Sequence, residues 1–437
     1  MQFYDRGCEL NILKKNQEQA LRQAVFTTMM GRRRVGKTAL LMRSVEGVPA
    51  LYLYVSKDNE QMLCRRMQQA AEETLGVHIY GQTRQFSELL EQLMIYGEEH
   101  PFTLIVDEFQ NLLSVNPAIP SHVQDVWDRY HRRSKVNFIV CGSIYSMMHK
   151  IFDHADAPLY GRRDSNMVIR PFSIAVLKGI LYDYNAAYQP DDLLCLYMLT
   201  GGVAKYVALL MDARAVTKRR MLEYVTTPDS PFLVEGTEML LSEFGRDYST
   251  YFSILQLIAG GMTSQAQIDS IIGKNTGAYL SNLSEEYSFV KKALPLLSKS
   301  GSRNSRWYID DCFLRFWFSF IYPYQGLIES GRMDLMRKHI FDRYDQFSGL
   351  TLEHYFRQKF RETGSYTRVG NWWDRKGVNE LDLVAVNEFD HTGVVAEIKR
   401  NSNKINLAVV ADKVKSLPPA EYGDYRFEVV ALSLQDM

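Results

Sequence analysis

The sequence predicts an α/β fold: a parallel sheet with helices on both faces, followed by helical segments and a second, smaller α/β unit. Three observations carry this. Apolar runs alternate with helical patterns from residue 24 to about 172, and near-continuous apolar strands are what a sheet covered on both faces requires. The run Gly31-Arg32-Arg33-Arg34-Val35-Gly36-Lys37-Thr38 fits G-x-x-x-x-G-K-[ST] at every fixed position and stands between a strand and a helix. Asp107 and Glu108 end the third apolar run, at the carboxyl edge where parallel sheets bind ligands.

The first strand is Ala24–Met30. Behind it, the two glycines of the loop let the backbone curl so that its N–H groups point at phosphate oxygens. Lys37 would reach the terminal phosphates and Thr38 would hold Mg²⁺. Ala39 continues the helix start, whose dipole adds positive potential. Strands two to five are Ala50–Val55, Phe102–Glu108, Val136–Ser143 and Met167–Ile169. Asp107 can hold Mg²⁺, often through water. Glu108, on the opposite side of the pleat, can take a proton from the attacking water. Ser143 either touches a γ-phosphate or its water, or caps a helix Ile144–Met148. Arg162 and Arg163 follow Tyr160-Gly161. A guanidinium there neutralises γ-phosphate charge, in cis or on a neighbouring subunit, or else the pair is a solvated basic turn.

A length of 437 residues implies two to four domains, and 51 basic against 51 acidic residues give no global basic field, so any nucleic-acid surface must be local. The five cysteines are scattered without zinc-ligand spacing or a disulfide pattern. A reducing, cytoplasmic setting is expected. No leader pattern opens the chain. The longest apolar stretch, Phe313 to Tyr324, is too short for a bilayer and contains Arg315; no membrane partner is expected.

Between 250 and 325 the pattern is of short helices: Tyr251–Ile258, Ser264–Ile272 and Thr276–Val290. A hairpin over Lys299–Ile309 with a basic tip would complete a winged helix-turn-helix. The third helix carries Glu285 and Glu286, so packing or regulatory use stands beside direct DNA contact. The aromatic run Phe313–Phe320 reads as a core seam.

The last ninety residues order as a helix (Leu352–Phe360, with Glu353), a strand from Tyr366, the strands Glu380–Val386 and Val394–Lys399, a helix Leu407–Val414 and a strand Phe427–Leu432. Glu397 and Lys399 are two apart, so they share a strand face. With Asp382 at matching register on the neighbouring strand, two carboxylates and an ammonium converge. Such carboxylates suit Mg²⁺ or Mn²⁺, which would polarise a phosphodiester and activate water while Lys399 stabilises charge or helps deprotonate that water. The bland alternative is a surface Glu-x-Lys pair beside an unrelated Asp.

The first third resembles the archaeal-type ATPases of the STAND branch of AAA+-related P-loop NTPases. Phe3-Tyr4-Asp5-Arg6 with Glu9-Leu10, the 31–38 loop, Val106-Asp107-Glu108-Phe109-Gln110, Cys141-Gly142-Ser143 and Pro158-Leu159-Tyr160-Gly161-Arg162-Arg163 carry the likeness. It implies ATP as nucleotide, a sheet in the order 5-1-4-3-2, Arg6 and Glu9 near the adenine, and a helical lid after the core. Thr200-Gly201-Gly202-Val203-Ala204-Lys205-Tyr206 is similar to a lid motif that usually has proline at position 204. The C-terminal segment resembles the PD-(D/E)XK nucleases through Trp372-Trp373, Arg375-Lys376-Gly377, Asn379–Val384 and Ala396–Arg400. That resemblance assigns Asp382 and Glu397 as metal ligands, Lys399 as catalytic lysine and Glu353 as accessory acid.

The expected organisation is a P-loop ATPase core (1–172), helical lid (173–245), winged helix (246–325), helical linker (326–345) and restriction-endonuclease-like domain (346–437). The expected function is an ATP-hydrolysing ATPase that gates a metal-dependent nuclease acting on nucleic acid, DNA in preference to RNA, with a homo-oligomer if an arginine acts in trans. The alternative is a nucleotide-dependent regulatory or DNA-binding switch whose nuclease-like domain is not catalytic.

Overall fold

Strands β1 (Val25–Met30), β2 (Ala50–Tyr54), β3 (Phe102–Asp107), β4 (Val136–Gly142) and β5 (Ser165–Val168) form a parallel sheet in the order β5-β1-β4-β3-β2. This is the order the family resemblance implies. Every residue of β1, β3 and β4 is buried, whereas β2 and β5 are partly exposed. The strands buried on both faces therefore form the centre of the sheet and the partly exposed ones its edges. Phe26, Val106 and Phe138 face one way, with Leu63, Leu89 and Val123 from the helices Glu60–Leu75, Phe86–Glu99 and Ile119–Tyr130. Met29, Ile105 and Ile139 face the other, with Leu13, Leu40 and Leu41 from the helices Gly7–Ala20 and Lys37–Ser44.

The computed structural model describes residues 1–56, 58–143, 145–244, 248–299 and 304–437. They divide into two compact units: residues 5–170, which hold this sheet, and residues 1–4 with 171–437.

The second unit begins with the helices Ile174–Tyr184, Pro190–Thr200, Ala204–Asp212, Lys218–Val225 and Pro231–Phe244. Gly202 has φ 80°, and a Cβ on it would lie 2.4 Å from the Phe172 carbonyl oxygen. Ala204 is the first residue of its helix. Proline is welcome there because the missing N–H has no helical partner to lose, so alanine departs from the usual motif without changing its geometry.

The helices Tyr248–Ala259, Gln265–Ile272 and Gly277–Ser281 follow, the last continued by a π turn over Asn282–Glu286. The sequence reading carried this third helix to 290. It stops earlier because Ser288 adopts a left-handed backbone, φ 54°, which no right-handed helix accommodates. Strand β6 (Val290–Ala293) then pairs antiparallel with β7 (Arg306–Ile309), so the hairpin starts nine residues before the expected Lys299. Its expected tip, 300–303, lies outside the described residues, as do Ile144 of the expected helix 144–148 and Gly245 at the expected lid boundary.

The aromatic run forms the helix Cys312–Phe320, with Phe313, Phe316 and Trp317 wholly buried. The helix Met333–Glu362 then runs unbroken through the expected linker boundary at 345/346. A single apolar cluster explains its continuity. Tyr344, Leu352, Tyr355 and Phe356 from this helix share it with Leu199 and Phe316 on one side and Leu383 and Ile398 on the other. The chain ends in a four-stranded sheet ordered β11 (Arg426–Leu432), β10 (Thr392–Ile398), β9 (Glu380–Asn387), β8 (Arg368–Trp373). Strands β10 and β11 are parallel, joined through the helix Leu407–Val414; the other pairs are antiparallel.

Candidate functional site

The loop between β1 and the helix Lys37–Ser44 is shaped by its glycines. A Cβ on Gly31 would lie 2.7 Å from the Ile169 carbonyl oxygen, and Gly36 has φ 100°. Lys37 Nζ donates to the carbonyls of Gly31 (2.7 Å) and Arg32 (3.1 Å). The ammonium is thus folded over its own loop, held by neutral acceptors that a phosphate outbids through charge. Arg6 was expected near an adenine. Its guanidinium binds Glu9 (3.0 Å) and the carbonyls of Val35 (3.4 Å) and Arg170 (2.7 Å), so it ties the loop backbone to the strand that flanks it.

Thr38 Oγ1 donates to Asp107 Oδ2 at 3.3 Å. Asp107 is 5% exposed. Its Oδ2 also accepts from the Tyr52 hydroxyl at 2.6 Å, and its Oδ1 from the Glu108 amide at 2.9 Å. Burial, reinforced by Asp107, pushes the Tyr52 phenol far above its usual range, so it remains a donor. A hydroxyl and a carboxylate side by side are the hard oxygen donors that Mg²⁺ takes, and the residues fit that ion.

Glu108 differs from expectation in backbone. Strand β3 ends at Asp107, and Glu108 is left-handed, φ 55°. A turn, not the alternation of a pleat, separates the two carboxylates. Glu108 Oε2 accepts from Ser143 Oγ at 2.9 Å and from Gln110 Nε2. Ser143 therefore serves Glu108 in this arrangement. Gly142 is needed beside it, because a Cβ there would lie 2.7 Å from Gln110 Oε1 and 2.5 Å from Met148. Arg162 is ion-paired with Asp128 (2.9 Å) and Arg163 with Asp153 (2.5 Å), so both guanidiniums are engaged within their own chain.

At the C-terminal sheet the antiparallel register pairs Leu383 with Ala396; one step further sets Asp382 opposite Glu397. Lys399 Nζ lies 3.2 Å from Asp382 Oδ2 and 3.0 Å from Glu397 Oε1. The expected convergence of two carboxylates and an ammonium is present. Glu397 also pairs with Lys413 at 3.3 Å. Burial works against its charge, yet Lys399 and Lys413 hold its carboxyl below the usual range. Burial raises Asp382 despite the Ile398 amide and Lys399. Glu353 pairs with Arg357 (3.4 Å), which also donates to the Asp382 carbonyl at 2.8 Å. Burial, with Asp382 adding to it, pushes Glu353 up to about 7.

Among the described residues no group of three or more His, Cys, Asp and Glu side chains is placed to hold a metal ion. The donor chemistry is right for Mg²⁺ or Mn²⁺, but the point between Asp382 and Glu397 belongs to the Lys399 ammonium, and Glu353 faces Arg357. Of the expected basic wing, Arg306 is engaged among the described residues. Arg306 pairs with Glu380 at 2.8 Å and stacks over Trp373 at 4.5 Å.

Sequence reasoning missed Tyr52, Lys413 and Arg357, which no motif flags. Gln110 stood inside the quoted run Val106–Gln110 but had no assigned role. Tyr52 is recoverable only from pairing: β2 sets it beside Ile105, on the face that carries Asp107 two residues on.

Residues 3–210 match an ATPase domain predominantly from Archaea, and residues 317–409 match a family of archaeal and bacterial proteins of unknown function. The chain is 27% identical over 407 residues to the uncharacterized protein MJECL04 of Methanocaldococcus jannaschii, covering 91% of this chain and 87% of that one. It is similar in structure to the Walker-type ATPase PABY2304 of Pyrococcus abyssi, with 19% identity and a TM-score of 0.55 over 72% of this chain and 96% of the other. A weaker likeness, TM-score 0.48 at 15% identity, is to the ORC2 protein of Aeropyrum pernix, over 77% and 93% of the two chains. Among the described residues no helix is long and apolar enough to cross a membrane. Residues 3–210 therefore form an archaeal-type ATPase domain, and residues 317–409 a domain of unknown function.

Proposed function

We propose that this chain binds ATP with Mg²⁺ at the 31–38 loop, hydrolyses it, and uses its nucleotide state to gate the C-terminal carboxylate site, which acts on nucleic acid. The observation that supports the ATPase half most directly is the 3.3 Å approach of Thr38 Oγ1 to Asp107 Oδ2, at the mouth of the loop. Lys37 leaves the Gly31 and Arg32 carbonyls for the β- and γ-phosphates. Loop amides between Gly31 and Ala39 cradle the rest of the chain of phosphates. Bound Mg²⁺ supplies charge neutralisation on the phosphates, held through Thr38 and Asp107. Glu108 is the general base. Both of its donors bind Oε2, so the proton of the attacking water goes to Oε1. Arg6 holds the loop, and Arg163 takes part at the γ-phosphate only if it exchanges Asp153 for it, in cis or in a homo-oligomer.

For the second unit we keep the division into lid, winged helix and nuclease-like domain as a reading of the chain. There Asp382, Glu397 and Glu353 would hold Mg²⁺ or Mn²⁺ once Lys399 moves aside, with Lys399 stabilising charge at the phosphodiester and DNA as the preferred substrate. A second reading, a nucleotide-dependent regulatory or DNA-binding switch without C-terminal catalysis, is favoured by one observation. Lys399, Lys413 and Arg357 between them pair with all three acids. The test is cleavage of a DNA and RNA panel with Mg²⁺ or Mn²⁺ by the wild type, Asp382→Ala and Lys399→Ala. Cleavage lost in both variants supports the nuclease; equal cleavage by all three removes it; ATP-dependent DNA binding without cleavage favours the switch.

A further inference from the structure

We propose that Tyr52 is a positioning residue of the ATPase site, fixing the Asp107 carboxylate for the magnesium shell. The inference rests on Asp107 serving that shell.

The argument begins with what Asp107 lacks. It is 5% exposed, so water cannot orient it, and the terminal torsion of an aspartate is broad and two-fold. Three hydrogen bonds from N–H and O–H groups restrict it, and the Cys141 thiol also lies against it. The Glu108 amide takes Oδ1 at 2.9 Å, while Thr38 Oγ1 at 3.3 Å and the Tyr52 hydroxyl at 2.6 Å both take Oδ2. The amide holds one end of the carboxylate but leaves the plane free to rock. The Thr38 contact is the longest of the three, and Thr38 must turn its oxygen to the ion when the ion arrives. Tyr52 is the donor that stays. Its distance is that of a short hydrogen bond from a hydroxyl to an ionised oxygen, and it comes from β2, outside the loop that rearranges around nucleotide.

The position of Tyr52 explains why the contact is rigid. It lies on β2 opposite Ile105 of β3. Its ring packs against the apolar layer of Leu40, Leu41 and Ile105 beneath the loop helix. The ring locks the hydroxyl, and the hydroxyl locks the carboxylate. Removing the oxygen alone leaves the ring and its packing in place and releases only Asp107.

The experiment is equilibrium binding of a non-hydrolysable ATP analogue to the full chain, titrated with magnesium chloride. The proteins are the wild type, Tyr52→Phe, Asp107→Asn and the double variant. In Tyr52→Phe the half-saturating magnesium concentration is expected to rise about tenfold, the equivalent of one hydrogen bond to a charged group. The shift should be confined to the magnesium-dependent part of the binding curve. In the Asp107→Asn background, adding Tyr52→Phe should produce no further shift. A merely structural role for Tyr52 would lower the melting temperature without moving the magnesium midpoint. A Tyr52→Phe midpoint equal to wild type, beside a shifted Asp107→Asn midpoint, overturns the proposal alone. An unshifted Asp107→Asn midpoint overturns the role of Asp107 itself, and the proposal with it.

Discussion

Ser143 Oγ donates to Glu108 Oε2 at 2.9 Å, which joins the end of β4 to the first residue beyond β3. Glu108 sits in a left-handed turn, φ 55°, a conformation that a non-glycine residue keeps only when its surroundings hold it. Here the holders are Ser143, Gln110 and the Asp107 side chain that accepts from its amide. Glu108→Gln is expected to bind ATP and to hydrolyse it at least about a hundredfold more slowly. Ser143→Ala keeps the Gln110 contact and should lose about tenfold in kcat with little change in KM. Steady-state turnover checks both, and wild-type turnover by Glu108→Gln would end that residue's assignment.

Lys37 rests on the carbonyls of Gly31 and Arg32. Its replacement by alanine removes two contacts within one loop and leaves the sheet and its apolar layers untouched, so the fold should survive. The loss falls on nucleotide binding, on the order of a hundredfold in affinity for one cation on a polyphosphate. Calorimetry with magnesium and ATP measures it, and circular dichroism checks that the variant is folded.

Glu353 predicts a pH dependence. Its carboxyl is pushed up to about 7 from an ordinary value of 4.5, through burial and the nearby Asp382. A raised acid binds its proton more tightly in the folded state than in the unfolded state. Its stabilising contribution is complete below pH 4.5 and is lost as pH rises through 7. Comparing melting temperatures across that window, the wild type should fall relative to Glu353→Gln, whose side chain carries no titrating proton. Parallel curves would show that folding does not raise the Glu353 carboxyl above its ordinary value.

Asp191, on the helix Pro190–Thr200, binds Arg400 at 2.9 Å and Lys218 at 2.6 Å. Arg400 immediately follows Lys399 and also meets Asp345 (3.2 Å) and Ser348 (2.8 Å). Asp191→Ala would leave two cations, each about one-fifth to one-third exposed, without their main partner. Breaking a partly exposed pair of this kind costs about 1–2 kcal/mol, between the exposed and the buried cases. Denaturant unfolding should show a lower midpoint in Asp191→Ala, with Asp191→Asn intermediate. An unchanged midpoint in the alanine variant would show that Asp345 and Ser348 suffice for Arg400.

Much of this chain could be read without coordinates because the relevant physics is local. The loop 31–38 declares itself through glycine geometry and the chemistry of Lys37 and Thr38, all within eight residues. The central strands are near-continuous apolar runs, and Glu397 with Lys399 share a face by the period of a strand. What depended on tertiary packing lay between segments far apart in sequence. Tyr52 meets Asp107 across 55 residues, and Ser143 meets Glu108 across 35. Lys413 reaches Glu397 only because the helix Leu407–Val414 returns over the sheet. The helix Met333–Glu362 runs unbroken because both of its halves bury side chains in one apolar cluster, which only the fold assembles. Residue types and their periods determined which groups this protein brings to phosphate and to a carboxylate site. The distances that decide which acid is free, which is anchored and which is capped by an ammonium came from folding, since a charge responds to every neighbour within a few ångströms regardless of its place in the chain.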